Sequence, residues 1–112
     1  MNFRSYELFF KALSNGTRLE IISTLRDRPK NVGDISKKLG IEQSRASHNL
    51  RMLATWGLVR CETDGKQRLY SIDGRTLEPL LEVLDPYMDE YGEMLTECGI
   101  MKGCKSCDHM ED

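Results

Sequence analysis

Apolar residues recur at three- and four-residue spacing through the first half of the chain. Tyr6, Phe9, Phe10 and Leu13 form one stripe and predict a helix over residues 4–13. A second helix is expected after Ser14-Asn15-Gly16, with Leu19, Ile22 and Leu25 apolar and Ile21 broadening the face. Arg28-Pro29 should end it, because proline disfavours helical geometry in the residue before it. Asn31 suits the N-cap of a short helix over about 32–39, with Val32, Ile35 and Leu39 inward and Gly40 as a left-handed C-cap. A tight turn at Ile41-Glu42-Gln43 leads to a fourth helix, about 44–56. Ala46, Leu50 and Leu53 form its buried side and Gly57 closes it.

Beyond Gly57 the period changes. Residues 58–63 read as a strand, Asp64-Gly65 is a hairpin signal, and residues 67–72 alternate as the return strand. A long acidic helical region then runs from about Thr76 to Glu97. Pro79 is tolerable in its first turn, whereas Pro86 should kink or split it near Leu84-Asp85. From Gly99 there is no clear periodicity. The expected organisation is a domain over 1–97 and a cysteine-containing tail over 98–112. Two short helices joined by a tight turn and followed by a two-stranded ribbon predict a mostly α fold with a β-hairpin wing, a winged helix-turn-helix.

Charge sharpens this picture. The net charge of −2 is unlike that of a nucleic-acid binder, but it is unevenly spread. Residues 26–68 carry ten cations against five carboxylates, and residues 69–112 carry three against eleven. A basic module followed by an acidic one gives a local electrostatic footprint for nucleic acid. At 112 residues the chain is one ordinary domain, and 39% hydrophobic with 30% charged residues suits a globular protein. No apolar run approaches the ~20 residues of a membrane span, and Met1-Asn2-Phe3-Arg4 lacks the start of a secretory signal, so the expected location is the cytoplasm. No Ser/His/Asp triad, phosphate loop or catalytic carboxylate pair is visible, and no enzymatic activity is expected.

If helix 44–56 enters a major groove, its outward face must offer short polar side chains and cations. Gln43, Ser44, Arg45, Ser47, His48 and Arg51 supply them. Gln and Arg can bond base edges bidentately, while Ser suits phosphates, and His48 is expected to contact phosphate or base rather than metal. Around the hairpin, Arg60, Lys66 and Arg68 would reach phosphates or the minor groove beside that helix. The expected partner is double-stranded DNA.

Ala12-Leu13-Ser14-Asn15-Gly16-Thr17-Arg18-Leu19-Glu20-Ile21-Ile22 resembles the opening signature of the arsenical-resistance-repressor (ArsR) family. Gly40 to Leu53, with His48-Asn49-Leu50 at its centre, resembles that family's recognition helix, and Trp56-Gly57-Leu58-Val59 its lead into the wing. The similarity covers roughly residues 5–95. It implies a homodimeric repressor joined through its first and last helices. Each recognition helix would read half of an inverted-repeat operator, released when an inducer binds. The sequence departs from the family at its familiar sensor sites. The helix before the recognition helix has no cysteine, and the last helix has Asp85, Asp89, Glu90 and Glu93 but no histidine.

The remaining inducer candidate is Cys98, Cys104 and Cys107, with His109 close by. Three thiolates suit pyramidal arsenic(III), and three with an imidazole suit tetrahedral cadmium or zinc. Thiol redox sensing through Cys104–Cys107 is the alternative reading. A thiol oxidoreductase or metal-trafficking role is a further one, although its CxxC would belong in a βαβ context. Incidental tail cysteines are the third. Cys61 stands alone on a strand and is expected to be a packed structural thiol.

Overall fold

In the computed structural model, which describes residues 2–95, each helix boundary has a local cause. Helix α1 spans Phe3–Leu13, with the Asn2 side chain accepting from the Arg4 amide at 3.0 Å. Helix α2 spans Gly16–Asp27, and Asn15 caps it by accepting from the Arg18 amide at 3.1 Å. Arg28, forced extended ahead of Pro29, ends it. Helix α3 spans Val32–Leu39. Asn31 accepts from the Asp34 amide at its start, and Gly40 closes it in the left-handed region at φ 67°, where a side chain would be strained. Helix α4 spans Gln43–Thr55, so Gln43 opens the helix instead of completing the turn.

Strands β1 (Val59–Asp64) and β2 (Gln67–Ile72) pair antiparallel, from Val59 opposite Ile72 to Asp64 opposite Gln67. The hairpin therefore turns on Gly65-Lys66, one residue later than Asp64-Gly65. Gly65 has φ 65° and, among the described residues, no non-glycine residue has positive φ, which is the glycine-first pattern of a type II′ turn. Lys30 adds one rung on the far side of β2: its amide donates to the Tyr70 carbonyl at 3.0 Å and the Tyr70 amide donates back at 2.9 Å. The Lys30 side chain is only 4% exposed. Its Nζ donates to the Thr24 carbonyl at 2.7 Å and lies 3.5 Å from the Asp27 carboxylate, so the charge is satisfied at the end of α2.

The chain forms two compact units, the first ending at Leu77 and the second beginning at Glu78. In the first, Ile21, Ile22 and Leu25 of α2, Ile35 of α3, and Ala46, Leu50 and Leu53 of α4 are buried with Leu58, just before the wing, and Val59 and Tyr70 of the wing. Fully burying a Leu or Ile contributes roughly 1.5–3 kcal/mol, so α2, α3 and α4 together supply most of this unit's apolar burial. Leu19 is a correction: it is exposed. The buried residues of α2 are Ile21, Ile22, Thr24 and Leu25 with Arg18 half-buried beside them, and Leu19 lies about 100° from Arg18. Helix α1 forms as expected, yet none of its residues is buried.

Helix α5, Leu77–Met94, runs through Pro86 without splitting. A proline removes one amide donor, and the bonds on either side can still hold the helix. Tyr87 and Tyr91, one turn apart, follow it with ring centroids 4.9 Å apart. Among the described residues, no helix is long and apolar enough to cross a membrane.

Candidate nucleic-acid interface

Helix α4 divides into two sides. Ala46, Leu50 and Leu53 are fully buried, while Gln43, Ser44, Arg45, His48 and Arg51 are exposed and Ser47 is half-buried. Thirteen residues at 1.5 Å each make the helix ~20 Å long, enough to cross a major groove. Helix α3 and the turn at Ile41 fix its approach. The amides of Gly40 and Ile41 both donate to the Ser36 carbonyl, at 2.9 and 3.1 Å, which turns the chain sharply out of α3.

The outward side chains are not equally free. Arg45 Nη2 donates to Thr17 Oγ1 at 2.7 Å, which draws that guanidinium toward the first turn of α2. Below it, the buried Asn49 donates through Nδ2 to the Arg45 carbonyl at 2.9 Å and accepts from Arg18 Nε at 3.2 Å. Arg18 also donates through Nη1 to the Ala12 carbonyl at the end of α1, and its guanidinium lies 5.1 Å from the centre of the Trp56 ring. Sequence reasoning missed this cluster. The available signal was Asn49, a polar residue inside the buried spacing of Ala46, Leu50 and Leu53.

The wing separates two of the cations that the sequence groups together. Directly paired residues share a face and neighbours along a strand alternate. The register therefore puts Arg68 on the face of Thr63, Cys61 and Tyr70, and Arg60 on the opposite face with Glu62. Arg60 Nη2 lies 3.1 Å from Glu62 Oε1 in an exposed ion pair. Lys66 sits in the exposed turn at the tip. The Tyr70 phenol binds its proton more tightly than usual, because of burial and then the neighbouring Cys61. The cations of Arg68 on the wing and Arg51 on α4 oppose this. Asn31 Nδ2 donates to Gln67 Oε1 at 2.9 Å and ties the start of α3 to the base of the turn.

Cys61 is exposed, not packed. Strand β1 buries only Val59, and from Arg60 to Asp64 its residues are exposed, whereas Tyr70 opposite Cys61 on β2 is buried. Cys98, Cys104, Cys107 and His109 lie outside the described residues. Among the described residues, no group of three or more His, Cys, Asp or Glu side chains is placed to hold a metal ion.

The family described as "Bacterial regulatory protein, arsR family" matches residues 15–60, which run from the cap of α2 into β1. The chain is 35% identical over 79 residues to the arsenical resistance operon repressor of Bacillus subtilis, covering 70% of this chain and 75% of that one. It belongs to the ArsR family. The HTH-type transcriptional regulator NmtR of Mycobacterium tuberculosis is 38% identical over 72 residues, covering 64% of this chain; the match spans 60% of NmtR's own length. The solution structure of the homodimeric winged helix-turn-helix DNA-binding domain of Mb0332 from Mycobacterium bovis superimposes with TM-score 0.67 at 30% identity. That match covers 81% of this chain and 90% of the other. The ArsR fold expected from the sequence, a winged helix-turn-helix, is thus the fold found. Family and relatives are DNA-binding transcriptional regulators, not enzymes. In this ArsR-family chain α3 and α4 form the helix-turn-helix, with β1 and β2 as its wing.

Proposed function

We propose that this chain is a homodimeric repressor that reads an inverted-repeat operator. Gln43, Ser44, Arg45, Ser47, His48 and Arg51 would face the major groove, and Lys66 and Arg68 the flanking phosphates. Arg60, on the far side of the ribbon, makes at most a peripheral phosphate contact. The observation that carries this reading is the division of α4, whose polar side is exposed directly opposite a fully buried apolar side. The inducer in this proposal is a soft metal or metalloid ion, arsenic(III), cadmium or zinc, held by Cys98, Cys104 and Cys107 with His109. Thiolate-rich donor sets select such ions. The name of the B. subtilis relative, an arsenical resistance operon repressor, supports the metalloid. Ligation in the tail lowers operator affinity by the difference in ion binding between the DNA-competent and released states, typically ~1–3 kcal/mol.

The test begins with the reduced protein and a duplex selected from random sequence. Binding should weaken steeply as salt rises. Cadmium should produce a saturating thiolate charge-transfer band, and cadmium or arsenite should release the duplex. Cys104→Ser with Cys107→Ser should bind the duplex normally and resist release. Release of that double variant by the ions would sink the cysteine site, and release by oxidant alone would convert it to a redox switch. Salt-insensitive or absent duplex binding would sink the DNA reading.

A further inference from the structure

The Arg18 guanidinium links α2 both to α1 before it and to α4, which the backbone reaches only through α3. It donates to the Ala12 carbonyl in α1 and, through Nε at 3.2 Å, to Asn49 Oδ1 in α4, and it lies over the Trp56 ring at the end of α4. Its own backbone amide is held by the Asn15 cap, so the side chain starts from a fixed point. Asn49 is only 7% exposed and uses both ends of its amide, accepting from Arg18 and donating to the Arg45 carbonyl. A second link runs alongside, from Arg45 to Thr17, the residue before Arg18. The half of α4 that carries Arg45, Ser47 and His48 is therefore fastened to the first turn of α2 and the last turn of α1 by directional polar contacts.

Apolar packing alone would leave α4 some freedom to slide and rotate, because methyl groups fit a groove in more than one register. Hydrogen bonds to a planar guanidinium have fixed directions. Replacing one partner strands a partly buried donor or acceptor.

We propose that Arg18 is a positioning residue that sets the register of α4 against α1 through Asn49, and so determines how sharply the protein discriminates between DNA sequences. This rests on the reading of α4 as the recognition helix. Arg18 need touch no DNA. Its effect is on where Arg45, Ser47 and His48 stand relative to base edges, and not on total positive charge.

The test uses the full chain, a duplex selected from random sequence, and a random duplex of equal length. The quantity read is the ratio of the two dissociation constants, alongside thermal unfolding. Arg18→Lys keeps the charge but loses the fork, and Asn49→Leu keeps the volume but loses the amide. Each should lower the ratio about tenfold, the size expected for a hydrogen bond to a charged group. The double variant should fall no further, because the two groups act as one unit. A merely structural loss would reduce the folded fraction and weaken both duplexes equally, leaving the ratio unchanged. An unchanged ratio in both single variants overturns the proposal, as does a double variant whose losses multiply. If one variant fails to fold, the other still decides through its ratio. If the unaltered protein shows no salt-sensitive duplex binding, the recognition-helix reading falls together with this one. If it discriminates and the variants discriminate equally well, only the Arg18 proposal falls.

Discussion

Helices α1 and α4 are of similar length, lie in the same unit and each carry an apolar stripe, yet their stripes end differently. Helix α4 buries Ala46, Leu50 and Leu53 completely against its own chain and leaves its polar side to solvent. Helix α1 buries nothing: Phe3 is 76% and Phe10 58% exposed, and a groove of about 510 Å³ opens beside it, lined by Leu8, Phe9, Ala12, Trp56 and Leu58 among others. Helical spacing establishes that a helix has an apolar side. What covers that side depends on which surfaces the rest of the chain brings up. Within this chain α2, α3 and the wing cover α4, and α1 is left for the second copy of the proposed homodimer.

The largest expected effect separates the two helices directly. Leu50→Ala should cost about 2–5 kcal/mol in denaturant unfolding, the range for a large-to-small change in a closed core, and the cost should be the same at every protein concentration. Phe10→Ser should cost little in dilute protein, where exposed positions change stability by about 0.5 kcal/mol or less. At high concentration it should lower the unfolding midpoint and shift sedimentation toward the monomer, because a partner that binds only the folded state stabilises it by mass action. Equal, concentration-independent losses at both sites would erase the contrast.

The boundaries of these helices were largely legible in the sequence, because local signals set them. Asn31 and Gly40 bracket α3 at the expected residues, and Pro29 stops α2. Legibility failed where a long-range contact decides. The inward side of α2 takes in the half-buried Arg18 and not Leu19, because Asn49 and Trp56 give the guanidinium partners there. The buried Lys30 is explained by a carbonyl and a carboxylate at the end of α2 and a rung to β2, none of which a lysine in isolation announces. The exposed Cys61 lies on the outer strand: Tyr70, directly opposite it on β2, is buried, and Lys30 pairs with the far side of β2. For the candidate interface, residue types were readable but strand register was not. The turn falls one residue late, which puts Thr63 and not Cys61 opposite Arg68 but leaves Arg60 and Arg68 on opposite faces.

That register sharpens the comparison on the polar side of α4. Arg68 shares its strand face with Tyr70, whose phenol also senses Arg51 of α4, whereas Arg60 is on the other face beside Glu62. Arg68→Ala should weaken duplex binding uniformly across sequences and reduce the slope of log affinity against log salt by about one. Arg60→Ala should change the slope by much less, since an exposed ion pair already offsets part of its charge. The check is a salt titration of both variants by fluorescence anisotropy. Equal slopes would mean that the two faces of the ribbon meet DNA alike, and that the polar side of α4 does not continue onto one of them.

The smallest expected effect tests the covered side at its edge. Asp73 follows β2, and its amide donates to the Leu58 carbonyl at 3.1 Å, closing the ribbon where the chain leaves α4. Its carboxylate accepts from the Arg75 amide at 2.9 Å and from the Arg75 guanidinium at 2.8 and 3.1 Å, and Arg75 holds it down to about 2. An unfolded aspartate titrates near about 3.9. The folded value is the lower one, so the ionised carboxylate contributes stability that is present above about pH 4 and is lost as pH falls toward 2. Asp73→Asn should be slightly less stable than the native chain at neutral pH and should lose less stability over that acid window, so that the two unfolding curves converge near its lower end. Every partner of Asp73 named here belongs to the same chain, so the difference should not change with protein concentration, in contrast to Phe10→Ser. A concentration-dependent difference would place Asp73 with α1, among groups whose stability depends on a second copy.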